Sequence, residues 1–209
     1  MIYTIFPPST ILELRDEFGV FSGESRAAGL SGELKYLLLD RNKSPVGLAV
    51  SFEPEWRSVV AGQGSGTDLV QFQTKAMADA ALVPERVFVA LNASWEPQVT
   101  WTNTGETIRD TNVEISAALA GQISEGLFAG GEVRYLASFE GLSFARSTNS
   151  GIFIGPTLYA KLSERAFVAA SWSIRIGGVI REREPLPDFG NVPDSTESHH
   201  VRLRAGVNF

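Results

Sequence analysis

Apolar and polar residues alternate with a period of two along this chain, for roughly ten residues at a time, up to its last residue. Successive side chains of a β-strand point to opposite faces, so each such segment reads as a strand with one apolar and one polar face; a helix repeats at 3.6 residues and does not give this pattern. The end of the chain shows it best. Val201, Leu203, Ala205, Val207 and Phe209 fall on one face, and Arg202, Arg204, Gly206 and Asn208 on the other. Before them, Val168, Ala170, Trp172, Ile174 and Ile176 oppose Ala169, Ser171, Ser173 and Arg175, while Ile154, Pro156, Leu158, Ala160 and Leu162 oppose Gly155, Thr157, Tyr159 and Lys161. Segments 29–40, 46–57, 67–81, 86–97, 108–122 and 126–139 repeat the pattern, and Ile2–Phe6 reads as the end of one more strand. That makes about ten strands of about ten residues, the length a tilted strand needs to cross a bilayer. Strands of soluble proteins average about 5–6 residues.

The connections carry a second signal. Residues 41–45, 82–85, 123–125 and 163–165 read as tight turns, and 7–28, 58–66, 98–107, 140–149 and 179–198 as longer loops between them. Strict alternation of short and long predicts an up-and-down antiparallel barrel with turns at one rim and loops at the other. A Greek key does not keep that order. A C-terminus on the short-turn side gives an even strand count, as in bacterial outer-membrane barrels.

The polar face carries Glu33, Lys35, Glu53, Glu55, Lys75, Glu96, Glu114, Glu132, Arg134, Lys161, Arg175, Arg202 and Arg204. The opposite face is Val, Leu, Ile, Ala and Phe, with Trp56, Trp95 and Trp172 among them. Charge of this density on one face predicts that these residues line a lumen and pair across strands, while Leu158, Val168, Ala170, Ile174, Leu203 and Val207 meet lipid. Acidic residues fall mostly at 33–132 and basic ones on the last two strands, so the lumen wall is expected to be electrically lopsided. Phe128, Leu136 and Phe153 occupy polar-face positions and predict partial plugging of a narrow barrel. The alternative is a soluble, lipocalin-like ligand-binding barrel, whose apolar residues face inward.

Composition narrows the chemistry. A net charge of −6 argues against nucleic acid as a partner. An apolar fraction of 44% argues against disorder, and the absence of cysteine excludes disulfides and thiolate metal sites. No run of about 18 apolar residues forms a transmembrane helix. His199 and His200 are adjacent in a predicted strand, point to opposite faces and cannot chelate one metal together. Gly62-Gln63-Gly64-Ser65-Gly66 has neither the lysine nor the spacing of a phosphate loop, and no serine sits in a nucleophile elbow. Glu53 and Glu55 share one strand face and read as lumen lining rather than an acid–base pair. No cofactor or catalytic residue is expected; a membrane-embedded hydrolase with groups at the rim is the third reading.

The last ten residues, His200-Val201-Arg202-Leu203-Arg204-Ala205-Gly206-Val207-Asn208-Phe209, resemble the C-terminal strand signature of Gram-negative outer-membrane β-barrel proteins: a terminal Phe preceded by apolar residues at alternate positions. Leu30-Ser31-Gly32-Glu33-Leu34-Lys35-Tyr36 and Gly155-Pro156-Thr157-Leu158-Tyr159 resemble strands of uncharacterised barrels in that class. The resemblance implies a single barrel domain over residues 1–209 in the bacterial outer membrane. It implies a non-enzymatic small pore or structural barrel, with the lipid bilayer, the barrel-assembly machinery reading Phe209, and a small solute as partners. Met1-Ile2-Tyr3-Thr4-Ile5-Phe6-Pro7-Pro8 has no basic n-region or cleavage site. Because members of that class are exported by a signal peptide, the sequence predicts a longer parent with a signal and one further hairpin, twelve strands in all.

Overall fold

The computed structural model describes residues 11–21, 25–41, 43–61, 65–144, 146–163, 165–181 and 197–207. They form one antiparallel sheet of ten strands in sequence order. The strands are β1 (Ile11–Phe21), β2 (Ser25–Leu39), β3 (Val46–Ala61), β4 (Ser65–Val83), β5 (Val87–Trp101), β6 (Thr107–Ser124), β7 (Leu127–Glu140), β8 (Arg146–Lys161), β9 (Ala166–Gly177) and β10 (His199–Val207). Every strand pairs with its sequence neighbours, so this is an up-and-down meander, and among the described residues no pairing joins β10 to β1. No helix among them is long and apolar enough to cross a membrane.

The sheet curls strongly. Arg134 on β7 and His200 on β10 lie three strand spacings apart, about 14 Å in a flat sheet with strands about 4.8 Å apart. Their side chains nonetheless meet, Nη1 to Nδ1 at 3.3 Å, and Arg202 on β10 pairs with Glu132 on β7. These side chains therefore stand on the concave, inner face. Two inner-face glycines permit the tight curl. A Cβ on Gly155 would overlap the carbonyl oxygen of Trp172, and one on Gly130 that of Leu119, so neighbouring backbones approach where only a hydrogen fits.

The polarity of the two faces is the reverse of a soluble domain's. Ser51, Glu53, Arg57, Gln71, Asp79, Glu96, Asp110, Glu132 and Arg134 are buried inside. Leu34, Phe52, Trp56, Leu91, Ile115, Leu119, Ile154, Leu158, Trp172 and Leu203 are exposed outside, Leu203 at 76%. Outer-face rings pack on one another across strands: Phe52 on Phe72 at 5.8 Å and Phe72 on Trp95 at 5.6 Å. Val168 and Ala170 share the outer parity and are half-buried.

Two sequence expectations are corrected. The first described strand is Ile11–Phe21, inside the segment read as a loop at 7–28, with Ile11 opposite Lys35 and Phe21 opposite Ser25; Ile2–Phe6 lies outside the described residues. The strict short–long alternation also fails. Strands run on past the predicted loop starts: β3 to Ala61, β5 to Trp101 and β7 to Glu140, while β8 begins at Arg146. Residues 102–106 and 141–145 are then no longer than 40–45, and 178–198 remains long. The cause is that ladder hydrogen bonds need no apolar face. Ser58, Thr100, Thr107 and Ser147 continue the pairing where hydrophobic alternation has stopped. The tight turns stand as turns, with Gly126 at φ +74° closing residues 125–126.

Candidate functional site: the charged inner face

Strand parity sets the site. On β3 and β4 the odd-numbered residues face inward, on β5, β6, β7 and β10 the even-numbered, and on β8 and β9 the odd-numbered. Antiparallel pairing puts inward residues of neighbouring strands side by side, within reach of cross-strand bonds.

The first group spans β2 to β5. Lys35 Nζ lies 3.8 Å from Glu33 and Lys75 Nζ donates to Glu53 at 3.4 Å. Glu55 pairs with Arg57 and accepts from Gln71 Nε2 at 2.7 Å. Glu96 accepts from Gln73 Nε2 at 2.7 Å. Arg41, in the turn after β2, pairs with Asp79.

The second group spans β6 to β10 and lies at the centre of the curl. Arg134, with a side chain 0% exposed, donates from Nε and Nη2 to the two oxygens of Glu114, both at 2.8 Å. This fork-to-fork geometry is the strongest form of the pair. Its Nη1 meets His200 Nδ1, and His200 Nε2 lies 3.2 Å from Glu197. Guanidinium nitrogens only donate, so Nδ1 is the acceptor and the ring N–H is on Nε2, directed at Glu197. Phe153, fully buried, stacks on the His200 ring at 4.3 Å and 17°. Arg202 reaches Glu132 and also donates from Nε to Ser171 Oγ at 3.2 Å. Arg175 Nη2 donates to the Ser150 carbonyl at 2.9 Å.

Glu33, Lys35, Glu53, Glu55, Lys75, Glu96, Glu114, Glu132, Arg134, Arg175, Arg202 and Arg204 all take inward positions; Lys161 shares their parity but lies exposed at the end of β8. Phe209 lies outside the described residues, as does the side chain of Val207. The expected lopsided charge is redistributed. Strands β2 to β4 hold their own bases, because Lys35, Arg57 and Lys75 sit beside Glu33, Glu55 and Glu53. The gradient runs instead from β5–β7, with Glu96, Asp110, Glu114 and Glu132 against Arg134, to β8–β10, with Lys161, Arg175, Arg202 and Arg204. Leu136 and Phe153 are buried on the inner face, and Phe128 packs there between Phe88 and Tyr159.

Sequence reasoning passed over Arg57, Asp79, Asp110 and His200. Arg57 and Asp79 extend the inward parity of Glu53–Glu55 and Lys75 by one or two steps, so the alternation itself could have found them. His200 lies inside against Phe153, while His199 stacks on Trp172 outside at 6.1 Å, so the two adjacent rings do point to opposite faces. Among the described residues no group of three or more His, Cys, Asp or Glu is placed to hold a metal ion.

An up-and-down antiparallel sheet curled about a charged interior, with a large apolar exterior, is the architecture of a β-barrel turned inside out relative to soluble ones. Within it, the chain belongs to the family of unknown function DUF6662, whose model matches residues 21–209. No curated protein matches the chain. Among solved structures its fold is similar to that titled "TodX monoaromatic hydrocarbon channel deltaS2 mutant", with a TM-score of 0.52 at 10% identity over 89% of this chain and 62% of that one. A second, "TodX deltaS2S3 mutant monoaromatic hydrocarbon channel", gives 0.49 at 10% identity over 88% and 62%. The chain thus spans 62% of the length of each.

Proposed function

We propose that this protein spans the bacterial outer membrane as a β-barrel and conducts a small solute along its charged interior. The observation that carries this reading is the reversed polarity of the sheet. Bidentate, buried ion pairs such as Glu114–Arg134 stand inside, while outer positions are apolar from Val46 to Trp56 on β3. Ten residues at about 3.3 Å each make about 33 Å, and a strand tilt of about 40° reduces that to the roughly 25 Å height of an outer-membrane apolar band. A soluble ligand-binding barrel would need the opposite arrangement, with apolar residues around the ligand and charges in water. The similarity in fold to a structure titled a hydrocarbon channel supports a channel role.

A hydrolase gains no support. Ser173 lies opposite His200 in the β9–β10 register, but both ring nitrogens of His200 are engaged by Arg134 and Glu197, and Ser173 Oγ has no hydrogen-bond partner among the described residues. No nitrogen remains to activate the hydroxyl. A purely structural barrel is the second reading, favoured by Arg134 and Phe153, which are fully covered and fill the centre of the curl.

Conductance of the refolded full chain in a planar bilayer tests these readings. Small, discrete current steps from a species that migrates faster on a gel when unheated support the channel. Insertion without current replaces it with the structural barrel. A detergent-independent soluble monomer overturns membrane insertion altogether.

A further inference from the structure

Four aromatic side chains cross the inner face near the short-turn ends of β5, β7, β8 and β9. Phe88 and Phe128 are even-numbered on β5 and β7, and Tyr159 and Phe167 odd-numbered on β8 and β9, so all four have inward parity. Phe88 meets Phe128 at 5.7 Å, Phe128 meets Tyr159 at 6.1 Å, and Tyr159 stacks on Phe167 at 5.7 Å and 23°. The charged centre at Arg134 lies six residues up β7 from Phe128, about 20 Å away along the strand. The rings therefore form a distinct apolar band on an otherwise polar wall.

Small residues make room for the band. Strands β5 and β7 lie two spacings apart, about 10 Å, yet Phe88 and Phe128 meet across β6, where the residue opposite Phe88 is Ala120, 2% exposed. Phe167 leans in the same way over β10. A Cβ on Gly206, which lies opposite Phe167, would fall 2.3 Å from its Cε1, so only a hydrogen fits there. All four rings nonetheless stay partly exposed on the inner face. A planar group already uses the first of them: the guanidinium of Arg41, paired with Asp79, stands 4.9 Å over the Phe88 ring. At the other end Lys161 lies opposite Phe167, and Arg204 lies opposite Ala169, the neighbour of Tyr159. Both of these bases already make interactions within the protein. The band thus offers an incoming solute ring surface rather than an ion partner.

We propose that this band is the specificity element of the lumen, a stacking surface for an uncharged solute that carries a planar aromatic ring. The solute ring lies against Phe128, Tyr159 and Phe167 in the offset or edge arrangements that aromatic pairs prefer. This rests on the reading of the protein as a solute-conducting barrel and names the class of solute.

The test uses the refolded full chain in zwitterionic micelles, titrated with nicotinamide, nicotinate or tetrahydropyran-4-carboxamide and followed by saturation-transfer NMR against empty micelles. Nicotinamide should bind about fivefold tighter than the saturated amide, the scale of one aromatic pair, and more tightly than nicotinate, which adds a charge to the same ring. Phe128→Leu and Phe167→Leu keep apolar bulk without the ring, and each should erase most of that preference. Phe139→Leu, at the other end of β7 where the ring packs on Phe144, should leave it unchanged. Heat-dependent gel migration establishes that each variant is folded, and either folded ring variant decides the matter. Equal binding of the two amides, tighter binding of nicotinate, or a preference that survives loss of the ring overturns the proposal. Current through a planar bilayer from a protein with no preference for nicotinamide would overturn the band's role and leave the channel standing. The preference in a protein that inserts without current would overturn the channel and leave the stacking surface standing.

Discussion

Replacing Arg134 by Met removes the charge that forks onto Glu114 while keeping an unbranched, flexible side chain. The guanidinium is fully covered and makes two 2.8 Å bonds to a carboxylate that retains 24% exposure. Removing one partner of a buried ion pair costs about 3–5 kcal/mol, chiefly because the other charge is left uncompensated. The residual exposure of Glu114 lets water reach it, so the low end, about 3 kcal/mol, is expected. The loss should be reciprocal. In Glu114→Leu with Arg134→Met no stranded charge remains, and the double variant should recover about 2 kcal/mol relative to the sum of the singles. Urea unfolding of the refolded protein in lipid vesicles, followed by tryptophan fluorescence, measures all four states of the cycle. A coupling below about 0.5 kcal/mol would put the pair in the class of solvent-exposed bridges and refute its assignment to a buried inner face.

Gly155→Ala should lower the folded fraction several-fold on heat-shift gels, because the added methyl meets the Trp172 carbonyl; Gly131→Ala, on the outer face with its nearest atom at 3.7 Å, should fold normally. Leu158→Arg, at an outer position 46% exposed, should cost about 2–4 kcal/mol in vesicles, and a neutral result there and at Ile154 would mean that this face meets water. Deleting Phe209 should reduce the membrane-inserted amount in cells without changing the strand content of protein refolded in detergent; normal insertion would remove it as the assembly signal.

Much of this architecture was legible because one rule governs it. With a period of two, a single correctly phased strand such as Val201–Val207 fixes which residues face inward, and Glu132, Arg134, Arg175 and Arg202 followed from that alone. The rule goes silent where side chains stop discriminating between faces. Thr100, Thr107 and Ser147 are as content in a strand as in a loop, so the strand extensions past the apolar band could not be seen. The segment Ile11–Phe21 mixes Glu13, Arg15, Asp16 and Glu17 with apolar residues, and its polar run reads as a loop until a partner strand is known. Curvature was invisible for a different reason. The contacts of Arg134 with His200 and of Arg202 with Glu132 depend on four strands, β7 to β10, bending together, a property no single strand's sequence carries.

Lipid contact along β8 is the central claim at its most exposed. The chain has no cysteine, so a nitroxide attached to single introduced cysteines at 152, 153, 154, 157 and 158 reports each position without background. In refolded vesicles, oxygen accessibility should be high at 152, 154 and 158, whose native residues are Ile152, Ile154 and Leu158. It should be low at 153 and 157, where Phe153 and Thr157 are buried, and collisions with a water-soluble nickel chelate should be rare at the first three. Frequent nickel collisions at 152, 154 and 158 would place the apolar face in water and contradict a membrane-spanning barrel.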